Sequence, residues 1–334
     1  MAYNLIAYNG ILQKPIYVMN KHILDKLDWE WVSKNAGAIP IIEENMHRVH
    51  WDGLSRNKNA THILEKNLEK IDWMGASINE GAIHLLKKHI DKINWKWLSG
   101  NRNGATILKE HPDKIFFGWE FFKNIRDPEL IEQHLDKLHK SDWNMLSLNI
   151  NAVSILEKHP DKIDWLSIAY NTNAVHIIEK NMDKIDPWYM SDNKNAVHLL
   201  ETRLDDVNWV SLSRNTGAQH LLEKHIDKLD WEMVSLNSGA LGLLEKYPHK
   251  LDWNFVSGNS GTIPLLKKYP QKISYASLSH NTAIMQMFDL DYDAMKRRNA
   301  GFAEELVAKV FHPARIMALC ETYACEFEDY IETL

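Results

Sequence analysis

Cysteine is nearly absent. The 334 residues hold two, Cys320 and Cys325, both near the C-terminal end. One such pair cannot build the disulfide framework that small secreted domains need, so a reducing, intracellular setting is expected. Without further ligands at metal-site spacing the pair is also a weak metal motif. Long hydrophobic runs are missing: no stretch offers eighteen uninterrupted apolar residues, as a membrane helix needs. The first twenty residues are interrupted by Asn4, Asn9, Gly10, Gln13 and Lys14 and do not match a secretory leader. Charge of one sign is lacking too. A net charge of −6 gives no basic footprint for wrapping nucleic acid. There is no Gly-rich phosphate loop, Cys-x-x-Cys pair, Ser elbow or His-Glu-x-x-His. No catalytic, cofactor-binding or metal residue is therefore assigned, and the expectation is a protein that is not an enzyme, needs no cofactor and has no small-molecule substrate.

What is present is repetition. Hydrophobic residues make up 45% and charged residues 25%, the balance of a folded protein. An aromatic following an Asp or its equivalent recurs as Trp29, Trp51, Trp73, Trp95, Phe117, Trp143, Trp165, Pro187, Trp209, Trp231, Trp253 and Tyr275. Every step is 22 residues except Phe117 to Trp143, which is 26, so four residues are inserted around Asn124 to Asp142. At Pro187 the tryptophan is displaced by one, to Trp188. Taking the anchor as position zero, apolar residues fall at zero, +3, +9, +12, +13 and +20, as in Trp209, Leu212, Ala218, Leu221, Leu222 and Leu229. Spacings of three and four are helical. A leucine-rich repeat has a similar period but needs a leucine where Val210, Glu232 and Asn254 stand. The pattern predicts a short helix A from the anchor to about +5, a tight turn, and helix B from about +8 to +16.

Two turn positions carry the sharpest signature. Position +6 is Asn in eleven of the twelve units, with Asn124 one place late in the other. Glycine never replaces it, so the amide itself is wanted, bonding backbone groups of the turn and laddering between units. Position +8 alternates between Asn (Asn59, Asn103, Asn173) and Gly (Gly37, Gly81, Gly217), which predicts a left-handed backbone there. Helices this short are marginal alone. The expected fold is all-α: an αα-hairpin solenoid, a superhelix of about twelve repeats over residues 29–288, tracing roughly 100–120 Å at ordinary helix spacings. Residues 1–28 are expected to form an N-terminal cap, containing Ile16 to Met19, Ile23 and Leu24, and residues 289–334 a C-terminal helical cap or docking segment.

The Asp-Trp-x-x-Leu-Ser-x-Asn-x-Asn-Ala core, followed by Leu-Leu-Glu-Lys-x-Pro-Asp-Lys-Ile, resembles a repeat of largely uncharacterised proteins of giant nucleocytoplasmic DNA viruses. The run from Glu304 to Ile316 looks like a tail attached to such proteins. The resemblance spans nearly the whole chain and implies a viral protein made in an infected cell, in host cytoplasm or virion. The family carries no agreed activity, so no site residue transfers.

The anchors read as a core column. A second aromatic column at +2, of Trp31, Trp97, Trp119, Met145, Tyr189, Met233 and Phe255, lies about 130° from the centre of the core face. These seven are the candidate partner-binding residues, because aromatics and Met concentrate at interface centres; packing between neighbouring helices A is the competing reading. Histidines at +11 (His62, His84, His176, His198, His220) read as a solvated helix face, and Ser at +4 as a packing or capping hydroxyl. The function expected is a non-enzymatic scaffold mediating protein–protein interaction, its partner another protein, with no specific nucleic acid and no membrane. The alternative is a structural component of a virus particle.

Overall fold

The structure, a computed structural model, describes residues 6–8, 11–13, 17–18, 20–139 and 141–290. Cys320, Cys325 and the helices expected beyond residue 290 lie outside the described residues. The chain divides into two compact units, one of residues 21–287 and one of residues 1–20 together with 288–334. Residues 21–28, expected in an N-terminal cap, thus belong with the repeats. In the second unit, strands Ile6–Tyr8 and Ile11–Gln13 pair antiparallel, and Tyr17–Val18 pairs antiparallel with Asp289–Leu290. Tyr17 and Val18 are therefore strand, not cap helix.

Each repeat is a pair of short helices. In the first, helix A is Trp29–Lys34, helix B is Ile39–Glu44, and a 3-10 turn covers Met46–Arg48. Helix B starts two residues later than the pattern suggests, and the Pro-Asp-Lys loop is itself a 3-10 turn, as at Pro160–Lys162. Helix A starts where a side chain receives its first free N–H groups. Asp28, Asp72 and Asp252 accept from backbone amides of the first turn, and Asn208 does the same. Helix A ends at the +6 Asn, whose backbone is extended. The core sits between the two helix layers. Leu54, Leu98, Leu212 and Val256 at +3, and Ile42, Leu86, Leu222 and Leu266 at +13, are all 0% exposed, each worth ~1.5–3 kcal/mol of apolar burial. The anchors are less enclosed: Trp29 is buried and the other tryptophan anchors are half-buried. Each of several packs on the ring at +16 of its own repeat, as Trp95 on His111 at 5.2 Å and Trp253 on Tyr269 at 5.3 Å. Lysines at +19 cover others, as Lys184 over Trp165 at 4.5 Å.

Two hydrogen-bond ladders tie successive repeats. The Nδ2 of Asn57 donates to the carbonyls of Ser33 and Asn35, and Asn79 does the same to Ser55 and Asn57, all at 2.8–3.0 Å. Its Oδ1 accepts the N–H of its own +8 residue, as from Gly81 at 2.9 Å. The +4 serines form the second ladder: Ser33 Oγ donates to Trp29 O and accepts the N–H of His50 in the next repeat. Both ladders lapse where the sequence does. In the fifth repeat helix A starts late, at Trp119–Asn124; Asn124 makes no rung, and Asn149 reaches the carbonyls of Phe122 and Ile125 instead.

The last repeat bonds to the first in the same way. Asn35 Nδ2 donates to Ser279 O at 3.0 Å and Asn281 O at 2.9 Å, and the Asp28 N–H donates to Ser279 Oγ at 2.8 Å. The order of neighbours is therefore circular, where the sequence pattern predicts a superhelix with a cap at each end. The cause is a wedge. Consecutive helices A pack closer than consecutive helices B, and the turns between them nearly touch. A small rotation per repeat accumulates into curvature. The twelfth repeat is assembled from both chain ends: helix A is Tyr275–Leu278 and Ile284–Met287 stands for helix B, while its loop comes from the N-terminal side. Lys26 sits over Tyr275 at 4.7 Å as the +19 lysines do elsewhere, and Leu27 is buried like the +20 residues.

Candidate binding face

The turn side of the ring is where repeats approach most closely, and Asn or Gly at +8 follows from that approach. None of the described glycines has φ in the left-handed region, so the expected left-handed turn is wrong. A Cβ built on Gly81 would stand 2.1 Å from Lys58 O, and one on Gly217 2.3 Å from Lys194 O. Where Asn occupies +8, its Nδ2 bonds the equivalent carbonyl, as Asn59 to Ala36 O and Asn195 to Thr172 O at 2.9 Å. The site must meet a neighbouring carbonyl, and a bare Cα and a donating amide are the two ways to do it. Asn151, which follows the irregular fifth repeat, bonds Asn149 Oδ1 instead.

On the solvent-facing side of helix A the seven +2 residues do not share one environment. Trp31 and Trp119 are 40% and 52% exposed, while Trp97, Met145, Tyr189, Met233 and Phe255 are half-buried. Position +2 meets +5 of the preceding repeat. Trp31 lies on His280 at 3.9 Å, Tyr189 is 6.2 Å from Tyr170, and a Cβ on Gly53 would stand 3.1 Å from Lys34 Cγ. The exposed apolar positions that sequence reasoning missed are +1 and +5. Leu166 (49%), Trp188 (52%) and Val210 (49%) occupy +1, and Tyr170 and Leu236 occupy +5. At 100° per residue, +1 is as far from the core centre as +2, and +5 is farther still. The signal was in the helical wheel, but these positions lack the repeated tryptophans that drew attention to +2.

Charge divides the same face. From the sixth to the tenth repeat it carries Ile150, Leu166, Tyr170, Trp188, Val210 and Leu236, all exposed. Across the twelfth, first, second and third repeats it opens into a cleft of about 400 Å³ lined by Trp31, Lys34, Arg56, Lys58, Ile78, Glu80 and His280, among others. Burial holds the His280 imidazole below the usual histidine range; nearby Lys34 adds to this and Asp28 opposes it. On helix B the +11 histidines are not merely solvated: His62, His84, His176 and His220 meet Glu43, Glu65, Glu157 and Glu201 of the preceding repeat at 2.8–3.1 Å. Among the described residues no group of three or more His, Cys, Asp and Glu could hold a metal ion, and no helix is long and apolar enough to cross a membrane.

No protein-family model, curated protein or solved structure matches the chain.

Proposed function

We propose that this chain is a non-enzymatic binding scaffold, a closed ring of twelve helical hairpins that engages another protein through the solvent-exposed face of its helices A. The observation that carries the reading is the run of exposed apolar side chains on adjacent helices, Leu166, Tyr170, Trp188, Val210 and Leu236. Each is left in water although the same repeat has a full core beneath it, and large exposed apolar patches mark interaction sites. The +2 residues Trp119, Tyr189 and Met233 extend or border this run. The turn asparagines of the ladder, by contrast, are engaged by backbone groups, as Asn57 and Asn79 are. The resemblance of the repeat to giant-virus proteins supports an infected cell as the setting. The test is affinity purification from infected cells with the parent and with a Leu166→Glu, Val210→Glu double variant, whose substitutions lie at exposed positions and should leave the melting temperature within a few degrees. A protein recovered in stoichiometric amount with the parent and lost with the variant supports the reading. Identical recoveries with both contradict it.

A further inference from the structure

The cleft over the seam has a different chemistry from the apolar sector. Its cations come from two positions of the repeat, Lys34 and Arg56 at +5 and Lys58 at +7. Arg56 is the only described arginine with no carboxylate partner. Arg48 is held by Asp25, Arg102 and Arg126 by Glu80, Arg203 by Asp206 and Arg214 by Asp192. Neither Arg56 nor Lys58 takes part in an ion pair or side-chain hydrogen bond among the described residues. Lys34 pairs with the exposed Glu30 four residues earlier on the same helix, at 2.7 Å, an exchangeable surface contact, and its Nζ also lies over the Trp31 ring at 4.7 Å. The single carboxylate in the cleft, Glu80, is already shared between Arg102 and Arg126 at 3.2–3.4 Å. Three cations therefore face one cleft whose only anion is spoken for.

The rest of the lining mixes polar residues, Asn35, Asn79 and Thr282, with aromatic and apolar ones. Trp31 lies against His280, their ring centroids 3.9 Å apart, and Ile78 contributes from the third repeat. A guanidinium fork beside an ammonium suits a group carrying two negative charges on several oxygens, and the aromatic wall suits a compact organic body. The volume, about 400 Å³, falls in the range of small-molecule sites.

We propose that this cleft binds a small phosphate ester, with Arg56 and Lys58 holding the phosphate, Lys34 completing its charge shell, and the Trp31–His280 pair bounding the organic part. The proposal goes beyond the protein-scaffold reading and does not depend on it, and it adds a small-molecule ligand where the sequence led only to the expectation of no small-molecule substrate. Because the lining residues come from repeats on both sides of the seam, the bound ester also bridges the closure.

Calorimetric titration of the full chain tests it, using AMP, glucose 6-phosphate, adenosine, glucose and inorganic phosphate as probes. The expected result is saturable one-to-one binding of at least one of the two esters, at least ten-fold tighter than inorganic phosphate or the unphosphorylated parent compound. In an Arg56→Gln, Lys58→Gln double variant that affinity should drop ten-fold or more, with unchanged circular dichroism and melting. Absence of saturable heat with both esters up to roughly 10 mM overturns the proposal. So does equal affinity for inorganic phosphate, which would leave the aromatic wall without a role. Equal binding by parent and variant would show that the anion sits elsewhere, and overturns it too.

Discussion

A buried amide whose donor and acceptor groups are all engaged is expensive to remove, and Asn237 at +6 is one. Asn237 is 1% exposed; its Nδ2 donates to Ser213 O and Asn215 O at 2.9 and 3.1 Å, and its Oδ1 accepts the N–H of Gly239 at 2.9 Å. Replacing it by Ala removes three hydrogen bonds and takes the partner from the Ser213 carbonyl and the Gly239 amide, while the Asn215 carbonyl keeps the N–H of Ala218, at a cost of about 1–3 kcal/mol. Lys224→Ala, on the exposed end of helix B, should change stability by less than about 0.5 kcal/mol. Chemical denaturation of the two variants checks this, and equal midpoints would refute the ladder as a source of stability. The role of +6 was legible because glycine never substitutes there. The role of +8 was not. Gly37 and Gly81 suggest a local backbone need, whereas the demand comes from the carbonyls of Thr282 and Lys58 in neighbouring repeats.

Between elements, the serine ladder predicts its own repair. In the seventh repeat the +4 residue is Ala169, fully buried, where other repeats place the Ser that accepts the next repeat's N–H, as Ser191 does from Asn208 at 2.9 Å. Asp186 stands in the position of that donor. Ala169→Ser adds one oxygen at a site built for it elsewhere and should stabilise the protein by about 0.5–1.5 kcal/mol. A lowered melting temperature would mean that the Pro187 unit is spaced too far from its neighbour for the rung. The helices themselves were well marked in the sequence, because zero, +3, +12 and +13 repeat with little drift and bury as expected. The fifth and eighth repeats were marked as irregular by the insertion and by Pro187. What the pattern did not reveal is how the irregularity is absorbed: helix A starts at Trp119 and the carbonyl of Ile125 takes the place of an Asn carbonyl.

At the scale of the whole repeat unit, closure rests on contacts between residues about 250 positions apart, which no local periodicity reports. One trace was in the sequence nonetheless. Asp25-Lys26-Leu27-Asp28-Trp29 repeats Asp227-Lys228-Leu229-Asp230-Trp231, so the chain begins its repeats with the end of one and finishes with the start of another. Such a split unit is what a ring needs to join its ends. The seam also carries a pH dependence. His280 has its folded-state value lowered, so the neutral ring is favoured in the folded protein. That contribution is complete above the unfolded value of about 6.5 and is lost as pH falls toward the lower folded value. His280→Phe keeps a ring against Trp31 but cannot titrate. Between about pH 7.5 and pH 5 the parent's melting temperature should fall relative to the variant's; parallel curves would contradict this.

The central claim is that the first and last repeats are ordinary neighbours. Spin labels at Glu30 and Ala276, both exposed at +1 of the first and twelfth repeats, measure it directly once Cys320 and Cys325 are replaced by Ser. A control pair at Val210 and Glu232 occupies the same position in two consecutive repeats. Neighbouring helices lie ~8–10 Å apart, so the account predicts the same strong dipolar broadening from the seam pair as from the control. A seam pair with no broadening beside a broadened control would mean that the ends stand apart and the ring is open.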